Sequence, residues 1–214
     1  AVRLAGRNHS LLKIEGAEHI PSSGGALIVV NHYARPGYSS AWNALALAAA
    51  TPREITFVMS DAWAFEGNLL GFLLRPVMRA FLAGISAVYG FLSMPSMAPR
   101  FNDAQSRAKA VRRVIRFVRA HPDAVIGLAP EGQDSPPGGV GLAPAGGGKF
   151  MLQLNRMGLP VVPAAVAEKA GQLTLKFGEA FELMLDPGLP AVQVDETVRL
   201  FIREKIYGLY QSIQ

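Results

Sequence analysis

The sequence contains no cysteine and few charged residues, which make up 17% of its 214 positions. The absence of cysteine excludes disulfides, thiolate metal ligands and cysteine nucleophiles, and it is consistent with a reducing compartment. The low charge content excludes a disordered tail and a coiled coil. An unbroken run of the ~20 apolar residues that a membrane span requires is also missing. The most apolar window, residues 69–94, is interrupted by Arg75 and Arg79. It favours either a helix on a bilayer surface or a buried helix followed by a buried strand.

Apolar residues make up half of the chain, which is enough for a large core, and no repeat or linker divides it. We therefore expect one domain over residues 1–214. The excess of 21 lysines and arginines over 16 acidic residues suits an anionic cofactor or surface, although surface charge often has no partner. The first residues do not resemble a secretory signal, so we expect a cytoplasmic protein, either free or at the inner face of the membrane.

Strands alternate with helices through most of the chain. Short apolar runs predict strands at 26–31, 54–59, 85–92, 124–128, 159–166 and 173–177. Helical spacing predicts helices at 39–50 with Ser39 or Ser40 as N-cap, at 69–82, after a cap at Asn102 or Asp103, at 149–156 and at 194–210. This alternation predicts an α/β sandwich in which helices flank a mixed, largely parallel sheet. Ligands of such folds bind at the carboxyl ends of the strands.

Several familiar motifs fail on inspection. The Gly-Gly-Gly-Lys run that ends at Lys149 lacks the first glycine and the hydroxyl residue of a phosphate loop. No Gly-x-Ser-x-Gly elbow is present, and the four histidines lack metal-ligand spacing, so we predict no metal site. The arginine-rich helix at 107–119 has no interleaved aromatics, which favours a solvated helix face over a nucleic-acid surface.

Two loops that follow apolar strands carry the polar residues of a candidate site. The first strand ends in Asn31 and His32, and a later strand leads into a Pro-Glu-Gly turn. The ordered set comprises Asn31-His32, Pro130-Glu131-Gly132, Lys149 and the Gly-Leu-Pro-Val-Val-Pro segment at 158–163. Over roughly residues 10–185 this set resembles the glycerolipid acyltransferase family, whose best-known members are the lysophosphatidic acid acyltransferases.

The resemblance implies an enzyme that moves an acyl group from acyl-CoA or acyl carrier protein to an acceptor hydroxyl. In it His32 is the general base and Glu131 the second catalytic residue. Substrate-binding roles would fall to Asn31, Arg35, Tyr38, Pro130, Gly132, Gln133, Asp134 and Lys149. The thioester brings its own activation, so no cofactor or metal is implied. We expect a lipid or small hydroxyl acceptor, peripheral contact with a membrane and no nucleic acid. Candidates for an acyl groove are Trp63, Phe65, Phe72 and Leu73, each of which also suits ordinary core packing.

The sequence departs from the family pattern where the family orients its histidine and reads phosphate. The family aspartate five residues after the histidine is Gly37, and Glu131 or Asp61 would have to supply the missing carboxylate from elsewhere. The family Thr-Arg pair after Pro-Glu-Gly is Gln133-Asp134, and residues 90–95 lack the family arginine. An aspartate there opposes a phosphate, so we expect a neutral or sugar-like hydroxyl acceptor, or an amine, rather than lysophosphatidic acid.

Two other functions remain open at the level of sequence. One is a protein of the same fold that binds a lipid or acyl thioester without catalysis. The other is a thioesterase, in which water is the acceptor. A carboxylate within hydrogen-bond reach of the inward ring nitrogen of His32 would favour catalysis.

Overall fold

The structure is a computed structural model that describes residues 12–38, 41–60, 90–95, 103–136 and 138–214. In these ranges the strands are β1 (Lys13–Glu15), β2 (Ala26–Val30), β3 (Ile55–Ser60), β4 (Leu92–Met94), β5 (Val125–Leu128), β6 (Val161–Lys169) and β7 (Gln172–Phe177). The helices are α1 (Ala41–Ala50), α2 (Asp103–Ala120), α3 (Gly147–Asn155) and α4 (Val194–Ile213), with a 3₁₀ turn at Ala17–His19. None of the helices in these ranges is both long and apolar enough to cross a bilayer.

The described strands form one sheet in the order β1-β7-β6-β2-β5-β3-β4. Strands β6, β2, β5, β3 and β4 run parallel, whereas β7 is antiparallel to β6 and pairs in parallel with β1. The predicted class, an α/β fold with a mixed, largely parallel sheet, is confirmed. Because β2 and β5 are parallel neighbours with Val29 opposite Leu128, their carboxyl ends lie at the same edge of the sheet. The loops after them therefore open side by side.

The central strand β2 is buried along its whole length because both of its faces are covered. Its side chains alternate: Leu27 and Val29 pack with residues of α2, α3 and α4, whereas Ile28 and Val30 pack on the side of α1. Alternation of this kind follows from the two-residue period of a strand. It explains the unbroken apolar run, which is typical of a parallel strand covered on both faces.

Most predicted elements are confirmed to within a few residues, and two differ for identifiable reasons. The strand expected at 85–92 is wrong at its described end, because Gly90 sits in a turn at φ 68° and the strand begins at Leu92. The edge strand β1 went unpredicted, since it has three residues and no buried side chain. The helix expected at 69–82 and the cap candidates Ser39, Ser40 and Asn102 lie outside the described residues.

Candidate active site

His32 lies next to the end of β2 and makes three contacts with the loop after β5. Its backbone N–H donates to Glu131 Oε1 over 3.4 Å, and its carbonyl accepts a 2.9 Å hydrogen bond from the Ser135 N–H. Its ring nitrogen Nδ1 lies 2.9 Å from Asp134 Oδ1. A single short loop therefore fixes both the backbone and the ring of this histidine.

The contact with Asp134 defines which ring nitrogen is available for chemistry. An ionised carboxylate only accepts hydrogen bonds, so Nδ1 carries the proton and Nε2 keeps its lone pair in the neutral ring. Within the described ranges no group hydrogen-bonds Nε2, and 30% of the His32 side chain is exposed. Such a geometry suits a ring that takes up a proton at Nε2.

The carboxylate that contacts the His32 ring is Asp134 rather than Glu131, which the sequence had offered for this role. Glu131 contacts the His32 backbone rather than the ring, and Asp61 lies outside the described residues. The family aspartate position is taken up by a tight turn in which the Arg35 N–H donates to the Tyr38 carbonyl and the Tyr38 N–H returns the bond. Gly37 adopts φ 81° in this turn, a conformation that glycine tolerates and side-chain-bearing residues rarely adopt.

Glu131 is buried, with 3% of its surface exposed, and its carboxylate forms hydrogen bonds that stabilise the loop. Its Oε1 accepts hydrogen bonds from the His32 backbone and, over 3.0 Å, from the Ser135 hydroxyl. Burial raises the pKa of Glu131, although the hydrogen bonds from Ser135 and from the His32 backbone lower it in part. The carboxylate thus faces into the protein and holds the loop to the His32 backbone, whereas the resemblance had implied that Glu131 is a catalytic residue.

Two asparagines anchor the chain on either side of His32. The fully buried Asn31 donates from Nδ2 to the Val166 carbonyl (3.0 Å) and accepts at Oδ1 from the Val166 N–H (2.7 Å), which ties the end of β2 to β6. Asn43 of α1 donates to the Tyr33 carbonyl over 3.1 Å and accepts from the Tyr38 hydroxyl over 2.9 Å. The amide of Asn31 and the hydroxyl of Tyr38 are therefore engaged within the protein, where the sequence had suggested substrate contacts.

Arg35 forms an ion pair with Glu168 at the end of β6. The same carboxylate accepts a 3.5 Å hydrogen bond from the Tyr33 hydroxyl, and the Arg35 guanidinium also donates to the Pro36 carbonyl over 3.1 Å. Burial raises the pKa of both Tyr33 and Tyr38, so neither phenol supplies a proton acceptor near neutral pH. The cation predicted to bind substrate is largely neutralised by an internal partner.

The comparisons with known proteins point to one family. A family model described as acyltransferase matches residues 11–167, well over half of the chain. The chain belongs to the acyltransferase family. Its fold is similar to the crystal structure of PlsC, the 1-acyl-sn-glycerophosphate (LPA) acyltransferase from Thermotoga maritima, with a TM-score of 0.53 and 16% sequence identity. That match covers 92% of this chain and 71% of the PlsC chain. No curated protein sequence matches the chain significantly.

The other predicted residues of this acyltransferase lie on the same loop or on the next helix. Pro130 is half-buried, while Gly132 at φ 67° and Gln133 are exposed in the turn that carries Glu131. Lys149 is exposed in the first turn of α3, where its backbone N–H donates to Asp195 Oδ1 over 2.9 Å. The carboxylate of Asp195 therefore occupies the place at this helix N-terminus where an anion would bind. This agrees with the sequence analysis, which found no phosphate-binding loop at these residues. Nowhere in the described ranges do three His, Asp or Glu side chains gather as a metal site would need.

Gly141, which the sequence analysis did not single out, lies close to Glu131 in the loop after β5. A Cβ on Gly141 would lie 2.8 Å from Glu131 Oε2, whereas a Cβ on Gly139 would meet nothing closer than 3.5 Å. Neither glycine has a positive φ, so the difference lies in the contact alone. We expect Gly141→Ala to lower the free energy of unfolding by about 1–3 kcal/mol, the usual cost of overpacking, and to lower kcat through the displaced Glu131.

Urea denaturation and steady-state kinetics measure these two effects, and Gly139→Ala in the same loop is the matched control. Equal behaviour of the two variants would contradict the role given to the close contact at Gly141.

Proposed function

We propose that this protein transfers an acyl group from an acyl thioester to an uncharged hydroxyl acceptor, with His32 as general base. The observation that carries the proposal is the 2.9 Å contact between His32 Nδ1 and Asp134 Oδ1. It supplies the orienting carboxylate that Gly37 cannot, and among the described residues Nε2 keeps no hydrogen-bond partner. This favours catalysis over a fold that only binds its ligand.

In the proposed reaction Nε2 of His32 takes the proton of the acceptor hydroxyl as its oxygen attacks the thioester carbonyl. The carbon–sulfur bond of the tetrahedral intermediate then breaks, and the imidazolium returns the proton to the departing thiolate. Asp134 stabilises the imidazolium that forms between the two steps and keeps the ring in one orientation. Glu131 and Asn31 act through His32, because each of them fixes the backbone on one side of it.

The charge around His32 supports a neutral acceptor. Asp134 stands beside the ring with 64% of its side chain exposed, at the position where the family pattern has an arginine. Arg35, three residues after His32, is paired with Glu168. A phosphate placed beside the ring would therefore meet the Asp134 carboxylate, and like charges at such separations repel. An amine acceptor is compatible with the same charge distribution.

We also propose that the enzyme works at a membrane surface, where acyl acceptors reside. Helix α1 begins three residues after Tyr38 and exposes Trp42 and Leu45, with 37% and 55% of their surfaces accessible. Residues 41–50 carry no charge at all. Tryptophan is enriched where proteins meet the boundary between lipid and water, which suits contact of this helix with the interface.

The test is thiol release from a long-chain acyl-CoA by the purified protein, with a matched pair of acceptors. A monoacylglycerol and its phosphate, lysophosphatidic acid, differ only in the charged group. We expect kcat/KM to be about tenfold higher for the neutral acceptor, which corresponds to ~1.4 kcal/mol of repulsion.

A preference for lysophosphatidic acid would overturn the neutral acceptor. Thiol release at the same rate without any acceptor would indicate a thioesterase, and the absence of release with every acceptor would contradict catalysis.

A further inference from the structure

The net charge of the chain is concentrated on one helix. Helix α2 holds six of the 21 lysines and arginines and one of the 16 acidic residues, so the rest of the chain has fifteen of each. The cations are Arg107, Lys109, Arg112, Arg113, Arg116 and Arg119. The whole excess of +5 therefore lies on α2.

Five of these cations form an exposed surface, here called the basic face: Lys109, Arg112, Arg113, Arg116 and Arg119. Across the described part of the chain none of the five pairs with a carboxylate, whereas Arg35 and Arg199 each do. The opposite side of the helix packs into the core through Val114 and Val118, which are 0% and 1% exposed. The helix is thus held firmly while its cations face solvent.

The cations of the basic face are spaced so that they repel one another, and this repulsion destabilises the helix. Cations three and four positions apart stand next to each other on a helix, and each such like-charge pair destabilises it by about 0.2–0.5 kcal/mol. No acidic residue follows Asp103 within α2 to offset the repulsion. A binding partner with negative charge would remove this cost.

The shape of the basic face favours an acidic protein surface over a membrane or a small anion. From Lys109 to Arg119 it extends about 15 Å along the helix axis, which is longer than a compact phosphate group. Helices that lie on bilayers expose large apolar side chains beside their cations, and α2 has none among its described residues. The exposed apolar residues Trp42 and Leu45 belong to α1, which covers the other face of the sheet.

We propose that the basic face docks the acidic surface of an acyl carrier protein, which delivers the acyl thioester to His32 on its flexible arm. The inference rests on the proposed acyl transfer and names the donor. The carrier's carbon–sulfur bond breaks as the acceptor oxygen bonds the acyl carbon, and the acceptor proton passes through His32 to the leaving thiolate. Helix α2 follows β4 and precedes β5, so it runs from the edge of the sheet that holds His32 to the opposite edge. The basic face begins six residues into the helix, and the carrier's flexible arm would span from there back to the edge that holds His32.

The experiment reverses two charges of the basic face in the full chain, Arg112→Glu together with Arg116→Glu. The control pair, Arg156→Glu with Lys169→Glu, makes the same change of charge at two exposed positions outside α2. Binding of a purified bacterial acyl carrier protein in its phosphopantetheine form is titrated directly, without turnover. Transfer is then compared for acyl carrier and acyl-CoA donors of the same chain length.

We expect the basic-face pair to weaken carrier binding and to raise KM for the acyl carrier by tenfold or more, on the order of 1.4 kcal/mol. The control pair keeps wild-type binding, kcat/KM for acyl-CoA changes little, and salt weakens carrier binding to the wild type. Unchanged carrier binding in the basic-face pair would overturn the proposal, as would an equal loss with both donors. A loss confined to binding of anionic phospholipid vesicles would assign the face to a membrane and also overturn it.

Failure of docking and failure of the proposed function give different results. Transfer that survives charge reversal with either donor would remove the docking site and leave the acyltransferase. Carrier binding that depends on the basic face without any transfer would leave the docking site and remove the activity.

Discussion

Replacement of His32 by glutamine is expected to lower the rate of acyl transfer by about 10²- to 10⁴-fold, the usual contribution of a positioned general base. Glutamine retains a side-chain N–H for Asp134 but has no nitrogen lone pair to take the proton of the acceptor. The measurement is acceptor-dependent thiol release at saturating substrate. Thermal unfolding of the same variant establishes that the protein remains folded.

The matched control is His19→Gln, because 32% of the His19 side chain is exposed, close to the 30% of His32. His19 lies in the 3₁₀ turn after β1, away from the loops that hold His32. The control is expected to keep the wild-type rate. A folded His32→Gln protein that retains more than about a tenth of that rate would rule out general-base catalysis by this ring.

The meeting of His32 with Glu131 was predictable from two strands and their direction. Apolar runs located β2 and β5, and polar residues stood immediately after each run. The carboxyl ends of parallel strands share an edge, so a sheet with these two strands side by side had to bring the loops together. The pairing of Ala26 with Val125 and of Val29 with Leu128 confirms this prediction.

The pairing of His32 with Asp134 was not predictable from local pattern, since 102 positions separate the two residues. It depends on the path of the loop, which turns at Gly132 with φ 67° and is held by the hydrogen bond from the Ser135 N–H to the His32 carbonyl. One sequence signal pointed to it. The carboxylate missing at Gly37 reappears as an unexpected acid at 134, in the loop already expected to open beside the histidine.

Contacts with distant parts of the chain also determine the roles of three residues near His32 that were predicted to contact substrate. Asn31, Arg35 and Tyr38 are close to His32 in sequence, but their partners come from distant elements. Asn31 and Arg35 bind β6 through Val166 and Glu168, and Tyr38 binds Asn43 of α1. A polar side chain beside a catalytic residue can stabilise the backbone or bind a ligand, and only the tertiary contacts distinguish the two roles.

In the proposed reaction, the aspartate that stands at position 134 in place of the family arginine both orients the base and influences the choice of acceptor. A single carboxylate at this position replaces the family aspartate at the histidine and removes the family cation that would meet a phosphate. Both consequences follow from the same side chain, so a variant that weakens one is expected to relax the other. Substitution of Asp134 is therefore more informative than that of any other residue of the loop.

Replacement of Asp134 by asparagine is expected to lower kcat about 10²-fold with little change in KM for the thioester. In the serine proteases, where the aspartate that orients the catalytic histidine is buried, the same change lowers kcat by about 10⁴-fold. The smaller value here reflects the 64% exposure of the Asp134 side chain. The folded state should lose at most about 1 kcal/mol, since exposed ion pairs contribute little to stability. Kinetics with the neutral and phosphorylated acceptors, together with urea denaturation, measure these effects, and Asp123→Asn at an exposed position before β5 is the control.

Two double variants determine whether Asp134 acts through the ring. In a His32→Gln background, Asp134→Asn is expected to cost nothing further, because residues that act as one unit are not additive. Adding Gly37→Asp to Asp134→Asn is expected to restore no activity. Position 37 is held at φ 81°, and a Cβ there meets no atom within 4 Å, so the carboxylate would extend from an exposed, strained turn. Additive losses in the first pair, or recovery in the second, would show that the orienting carboxylate of this site is not Asp134.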